Sequence, residues 1–148
     1  MKILILGSTG FIGKNLKKKL EKKDYTLETA ERSSGVDIRN YEQIKEKIIQ
    51  TNPDVIYNLA SHGGSMHYVR ENAANVFHDN VQMALNLYRA VADFNNEIKI
   101  IQPFSNCSYP GKSNVQKEHE WLDGDVHPSV FSFGNSKRSI YYLSECFK

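Results

Sequence analysis

Cysteine is scarce. Cys107 and Cys146 are the only two in 148 residues, too few for a disulfide framework and suited to a reducing compartment. An excess of one charge is also lacking. Lys and Arg number 19 and Asp and Glu 17, for a formal net charge of +2. That balance gives no electrostatic case for nucleic acid or an acidic membrane surface as partner. No apolar run approaches the ~18 residues that span a bilayer. The apolar N-terminus is broken by glycines and lacks a small-residue cleavage site, so it does not read as a signal peptide. Repeats and low-complexity tracts are absent. His62, His67 and His78 are not spaced as a metal site with one another or with Cys107, and no metal is expected. A soluble, cytoplasmic chain remains, with room for one domain over residues 1–148 and one sizeable core.

The densest signal lies in the first thirteen residues, Met1-Lys-Ile-Leu-Ile-Leu-Gly7-Ser-Thr-Gly10-Phe-Ile-Gly13. The aliphatic run within Lys2 to Leu6 predicts a strand buried on both faces, as a parallel sheet requires. Glycines follow at G-x-x-G-x-x-G spacing, and then a Lys/Leu-rich stretch of helical period. Gly7 lets the chain turn sharply, Gly10 lets a pyrophosphate approach the backbone, and Gly13 lets the helix seat closely on the sheet. The helix that starts here aims its unpaired N–H groups and positive dipole end at the phosphates. A plain strand-turn-helix could also carry three glycines. The strand before and the helix after favour a dinucleotide loop made of Gly7, Thr9, Gly10, Phe11, Ile12 and Gly13. Lysines at 14, 17, 18, 19, 22 and 23 suggest a phosphate stripe, but Ile12, Leu16 and Leu20 at i, i+4, i+8 mark the buried face and leave the lysines solvated.

Further along, Tyr25 to Thr29 reads as a second strand. Residues just past that strand meet the adenosine ribose in a dinucleotide fold, where an acid holds the 2′-hydroxyl of NAD and an arginine the 2′-phosphate of NADP. Glu31 and Arg32 stand there together, with Ser33 and Ser34 behind them. The guanidinium, which can pair a phosphate and stack on adenine, tilts the reading to NADP, with NAD possible. Asp37-Ile38-Arg39 leads into a helix from Tyr41 to Gln50 with Ile44, Ile48 and Ile49 facing inward, closed by Asn52-Pro53. Asp54 to Ala60 is a third strand. A long helix covers Ala73 to Phe94, with Val76, Phe77, Val81, Leu85 and Val91 near helical period. Lys99 to Phe104 is the fourth strand, residues 105–130 a long loop, and Ser132 to Phe147 a last helix. Strands alternating with helices predict an α/β doubly wound parallel sheet, the Rossmann fold.

Four further segments add to the glycine loop: Asn58-Leu-Ala-Ser61-His-Gly63-Gly64, Asn80 in the long helix, Ser105-Asn-Cys107-Ser-Tyr109-Pro110, and Phe133-Gly-Asn-Ser-Lys137. With these the chain resembles the extended short-chain dehydrogenase/reductase family of nucleotide-sugar enzymes, in its GDP-fucose synthase branch. The resemblance covers all 148 residues but only the N-terminal half or so of such an enzyme. It implies an NADP-dependent epimerase/reductase acting on a GDP-linked keto sugar. Ser105 matches the serine that hydrogen-bonds the reacting sugar, and Cys107 the acid/base of epimerisation. Lys137 matches the lysine that binds the nicotinamide ribose and lowers the pKa of a catalytic tyrosine. Leu59, Ala60, Ser61 and Asn80 match the part lying along the cofactor, and Asp37 with Ile38 the pair near adenine. The resemblance also implies a homodimer through helices 73–94 and 132–147.

Two departures stand out. Phe133 occupies the place where the family has its tyrosine proton donor, four residues before the lysine on one helix face. A phenyl ring has no proton to give, and general acid catalysis is worth ~10²–10⁴-fold. Phe133 is either natural or engineered; the residues alone do not decide. The family's C-terminal sugar-nucleotide region, with the histidine partner of Cys107, has no counterpart, so the chain is expected to be truncated or completed by another chain. Cys107 alone also reads as a small buried residue. Tyr141 and Tyr142 read as packing or interface aromatics, His127 as a loop histidine, and Arg138 as part of no basic patch. Two other functions stay open: a non-catalytic dinucleotide-binding module or pseudoenzyme, and an epimerase or dehydratase for another sugar nucleotide.

Overall fold

The computed structural model describes residues 1–112 and 115–147. The chain forms two compact units, residues 1–61 with 85–103, and residues 62–84 with those from 104 onward. They are described in turn.

The first unit is built on a four-stranded sheet of order β2-β1-β3-β4, comprising β1 (Lys2–Leu6), β2 (Thr26–Ala30), β3 (Val55–Asn58) and β4 (Lys99–Ile101). All three pairings are parallel. β1 is central, and its Ile3, Leu4, Ile5 and Leu6 are buried, which is why the run carries no polar alternation. Edge strand β2 alternates instead, with Thr26 and Glu28 exposed. Between β1 and β2 runs α1 (Phe11–Leu20), and α2 (Tyr41–Thr51) precedes β3. Chain order reverses between β1 and β3, and ligands of open α/β sheets bind at the C-terminal strand ends of such a switch point.

Three expectations needed correction here. Ile12 is 59% exposed because α1 is phased by Gly13, its one fully buried residue. Leu16 and Leu20 share that face, and Ile12 lies one residue, about 100°, away from it. In α2 the buried set is Ile44, Ile48 and Thr51, spaced i, i+4, i+7, so Ile49 falls on the solvent side. β4 stops at Ile101 rather than Phe104. Gln102 turns its side chain to Asn58, and Pro103 has no N–H for the ladder. Asn52 ends α2 with a left-handed φ of +43°, the short polar side chain tolerating that region before Pro53.

In the second unit lie α3 (Met66–Glu71), the first turns of α4 (Ala73–Phe94), and α5 (Phe131–Cys146). α3 went unread in the sequence. Its signal is Ser65, whose hydroxyl accepts from the Tyr68 amide at 3.2 Å as an N-cap. The expected loop over 105–130 contains 3₁₀ turns at 106–108, 118–120 and 128–130. α4 buries Val76, Asn80, Ala84, Leu87 and Val91, while Phe77 and Leu85, which also lie near the helical period, are exposed. No helix of the described residues is long and apolar enough to cross a membrane.

Candidate functional site

In the first unit the candidate residues gather at the C-terminal ends of β1 and β3. Gly7 has φ +77°, and a Cβ there would lie 2.7 Å from the Ala60 nitrogen and 2.9 Å from the Leu59 carbonyl carbon. Both the backbone conformation and the closeness of the β3 exit therefore demand glycine. A Cβ on Gly13 would lie 2.7 Å from Ser8 Cα, whereas one on Gly10 would meet nothing nearer than the Gly7 oxygen at 3.4 Å. Gly10 is thus not needed for packing within the chain. It N-caps α1, and neither a side-chain cap nor an acidic residue serves that first turn. The first N–H groups of a helix have no internal partners; the Gly10 amide is taken by the Gly7 carbonyl at 3.1 Å, so Phe11 and Ile12 present the uncapped, exposed helix start, with Thr9 and Gly10 exposed beside it. Lysines 17, 18 and 19 occupy the opposite, negative dipole end.

Past β2, the buried Ser8 hydroxyl donates to Glu31 at 2.9 Å, tying that carboxylate back to the glycine turn, while Arg32 stands exposed. Asp37 accepts from the Arg39 guanidinium, Nη2 at 2.6 Å and Nε at 3.0 Å, which holds its carboxyl below the ordinary value. Its amide donates to Gln43 at 2.7 Å, and the carbonyl of buried Ile38 accepts from Asn86 of α4 at 3.0 Å. The Asp37–Ile38 backbone is thereby fixed from two helices. Asn58, also buried, donates to Gln102 at 2.6 Å, and its Oδ1 has no partner among the described residues. An uncapped helix start, a turn that a Cβ would fill, and an orphaned buried acceptor at the strand ends together suit the phosphates and ribose of a dinucleotide. Ser61 is exposed at the end of this unit.

In the second unit α5 collects the other group. Ser105 N-caps the 106–108 turn, accepting from the Cys107 amide at 3.2 Å. Cys107 Sγ lies 3.7 Å from Asn106 Oδ1. The turn is seated on α5 in two ways. A Cβ on Gly134 would run into the Cys107 carbonyl oxygen. Arg138 Nε donates to the Ser108 carbonyl at 2.7 Å, and its Nη2 to the Trp121 carbonyl at 2.9 Å. Buried Ser108 donates to the Ser105 carbonyl and accepts from Trp121 Nε1 at 2.7 Å. Ser105 and Cys107 are therefore positioned by the same turns of α5 that carry Phe133 and Lys137. Sequence reasoning missed Arg138 and Gly134; their only signal was adjacency to the lysine and the phenylalanine.

Lys137 is 5% exposed, and burial pulls its pKa from 10.5 to about 8. No ion pair engages it among the described residues. Its Nζ stands 5.3 Å from the Phe133 ring centroid, a cation–π contact in place of a hydrogen bond. Asn80, expected near the cofactor, spends its amide on the chain itself: it accepts from the His62 amide at 2.9 Å and donates to the His62 carbonyl and the Val76 carbonyl, each at 2.7 Å. The clamped His62 places Nδ1 2.9 Å from Asp79 and Nε2 2.9 Å from the Tyr68 hydroxyl, a network no sequence spacing announced. Among the described residues no three His, Cys, Asp or Glu side chains gather as a metal site.

Comparison with known proteins adds the family. The NAD dependent epimerase/dehydratase family model matches residues 3–147. The chain is 33% identical over 110 residues to GDP-L-colitose synthase of Yersinia pseudotuberculosis, covering 74% of this chain and 35% of that protein. It is 31% identical over 110 residues to GDP-L-fucose synthase of Azorhizobium caulinodans, with 74% and 34% covered. Among solved structures it superposes on the NADP-bound GDP-L-fucose synthetase of Naegleria fowleri with a TM-score of 0.85 at 24% identity, over 99% of this chain and 44% of that one. The chain thus spans about a third to a half of the length of the proteins it matches.

Proposed function

The chain belongs to the NAD dependent epimerase/dehydratase family, and from that premise we propose that it is the cofactor-binding part of an NADP-dependent epimerase/reductase. Its substrate would be a GDP-linked 4-keto-6-deoxyhexose; the names of its relatives support the GDP-linked sugar. The observation that carries the reading is the Gly7 turn, whose φ and closeness to Ala60 admit no side chain, leading into an uncapped α1. The first-turn amides would hold the pyrophosphate. Arg32 would pair the 2′-phosphate, since Glu31 is already engaged by Ser8. The fixed Asp37–Ile38 backbone would meet adenine, and Lys137 the nicotinamide ribose. When bound, the dinucleotide supplies a hydride. Ser105 would orient the sugar carbonyl, and Cys107 would move protons at the epimerised carbons. The exposed Phe77 and Leu85 of α4 and Tyr142 of α5 fit a homodimer through these helices, to be read as a doubled mass in light scattering.

Phe133 favours a second reading, a dinucleotide-binding module that turns nothing over, because the ring at the family's tyrosine position offers Lys137 only its face. Titration of the chain with NADPH and NADH, followed by fluorescence, tests the cofactor half. NADPH should bind more tightly, and Arg32→Gln should remove most of that preference while sparing NADH. Equal affinity for both, or none for either, would sink the NADP assignment. NADPH oxidation with GDP-4-keto-6-deoxymannose then separates enzyme from module.

A further inference from the structure

Within the second unit a hydrogen-bonded chain ends at a half-exposed hydroxyl, that of Tyr68. Asp79, His62 and Tyr68 are linked by contacts of 2.9 Å at each imidazole nitrogen. Their exposure rises outward: the side chain of Asp79 is 16% exposed and that of His62 24%, and Tyr68 is 40% exposed. An ionised carboxylate only accepts, so Asp79 accepts a hydrogen bond from Nδ1–H and orients the ring. Nε2 then accepts the Tyr68 hydroxyl proton when the ring is neutral and donates to the hydroxyl when it is protonated. Asn80 also holds the main chain of His62, by its amide and its carbonyl.

The two rings flank one glycine pair. A Cβ on Gly64 would lie 2.7 Å from Tyr68 Cδ1, and one on Gly63 would lie 3.4 Å from Phe133 Cε2; consecutive Cα atoms are about 3.8 Å apart. On the far side, the Ser132 hydroxyl reaches the Val69 carbonyl at 3.4 Å, so the neighbours of Tyr68 and Phe133 also touch. A purely structural staple between α3 and α4 would need no more than the buried contacts; a half-exposed phenol can satisfy its hydroxyl with water. We propose that the Tyr68 hydroxyl, backed by His62 and Asp79, donates the proton in carbonyl reduction that Phe133 has no hydroxyl to give.

The inference rests on the reductase reading, with a reduced nicotinamide dinucleotide as the reductant. As the carbonyl carbon gains hydride, the C=O π pair moves to oxygen, and that oxygen takes the Tyr68 proton to become the alcohol. Protonated His62 returns its Nε2 proton to the phenolate and becomes neutral, and solvent reprotonates the ring. Tyr68 is the acid; His62 and Asp79 are positioning residues.

The test has a cofactor-free arm and a kinetic arm. In the apo chain labelled with ζ-13C tyrosine, the Tyr68 resonance, assigned by its loss in Tyr68→Phe, should shift on titration with GDP-mannose as a non-reducible probe. With NADPH and GDP-4-keto-6-deoxymannose, Tyr68→Phe should lower kcat by about 10²–10⁴-fold, and Phe133→Tyr should restore it. His62→Gln should lower kcat with little change in KM, and that effect should vanish once Phe133→Tyr is present. A Tyr68 resonance unmoved by saturating GDP-mannose, or a Tyr68→Phe chain as fast as the parent, overturns the proposal. A chain that oxidises NADPH only after Phe133→Tyr overturns it too while leaving the reductase reading intact. Inactivity both with and without Phe133→Tyr removes the reductase reading and the proton donor with it.

Discussion

Lys137→Met should make this protein more stable at neutral pH. The ammonium is buried with no ion pair among the described residues, and burial lowers its pKa from 10.5 to about 8. At about 1.4 kcal/mol per pKa unit, keeping the charge inside costs about 3 kcal/mol. Methionine removes the charge and forfeits the contact with the Phe133 ring, worth about 1 kcal/mol, so the net gain should be about 2 kcal/mol. The sign against pH follows from proton linkage. Between about 8 and 10.5 the unfolded chain holds a proton on Lys137 that the folded chain has released, so the parent gains stability as pH rises through that window. The advantage of Lys137→Met is therefore full below pH 8 and shrinks toward nothing by pH 10.5. Urea denaturation of both proteins at pH 7 and pH 10.5 measures this, and groups that titrate equally in both cancel in the difference. A variant no more stable than the parent at pH 7, or a gain that persists undiminished at pH 10.5, would refute the argument.

Two glycines with positive φ should respond differently to alanine. Gly35, at φ +86° with nothing within 4 Å of a new Cβ, should lose only the left-handed backbone cost of about 1–2 kcal/mol. Gly7, at φ +77° with Ala60 N 2.7 Å from the same position, adds overpacking and should lose about 2–5 kcal/mol in denaturant melts, with NADPH affinity falling alongside. Gly134→Ala should cost about 1–3 kcal/mol by pressing on the Cys107 carbonyl and on Val126 Cγ1 at 3.1 Å. It should also lower kcat more than it changes NADPH affinity, since the displaced turn carries Ser105 rather than the glycine loop.

The parallel sheet was legible because its cause is local. An unbroken aliphatic run, a glycine turn and a helical repeat each follow from a few adjacent residues, and β1 and the Gly7 turn sit where those residues indicate. Phase was less legible than existence. Ile12, Ile49, Phe77 and Leu85 are as apolar as their buried neighbours, and only the seating of Gly13 on Ser8, or of Ala84 and Leu87 in the core, decides which side faces inward. Least legible were the polar supports. Arg138 reaches backbone carbonyls 30 and 17 residues away, and Asp79 meets His62 across 17. Such pairings depend on how α3, α4 and α5 meet, which no spacing rule encodes. Asn80 is a polar support of the same kind, its amide holding the main chain of His62 from 18 residues away.

The lysine and the phenylalanine constrain each other's meaning. A tyrosine at position 133 would give Lys137 a hydroxyl whose proton it could loosen; a phenyl face attracts the cation but has no proton to loosen. Lys137 therefore has only the ribose left to serve among the roles its family position implies. Yet the fold still bears a cost of about 3 kcal/mol for the buried ammonium, a large share of the 5–15 kcal/mol that holds a typical domain together. A buried ammonium that costs this much stability is the pattern expected of a working site. Lys137→Met should consequently weaken NADPH binding while it stabilises the fold. If it stabilised the fold and left NADPH affinity untouched, Lys137 would be a relic and its role at the ribose would fall.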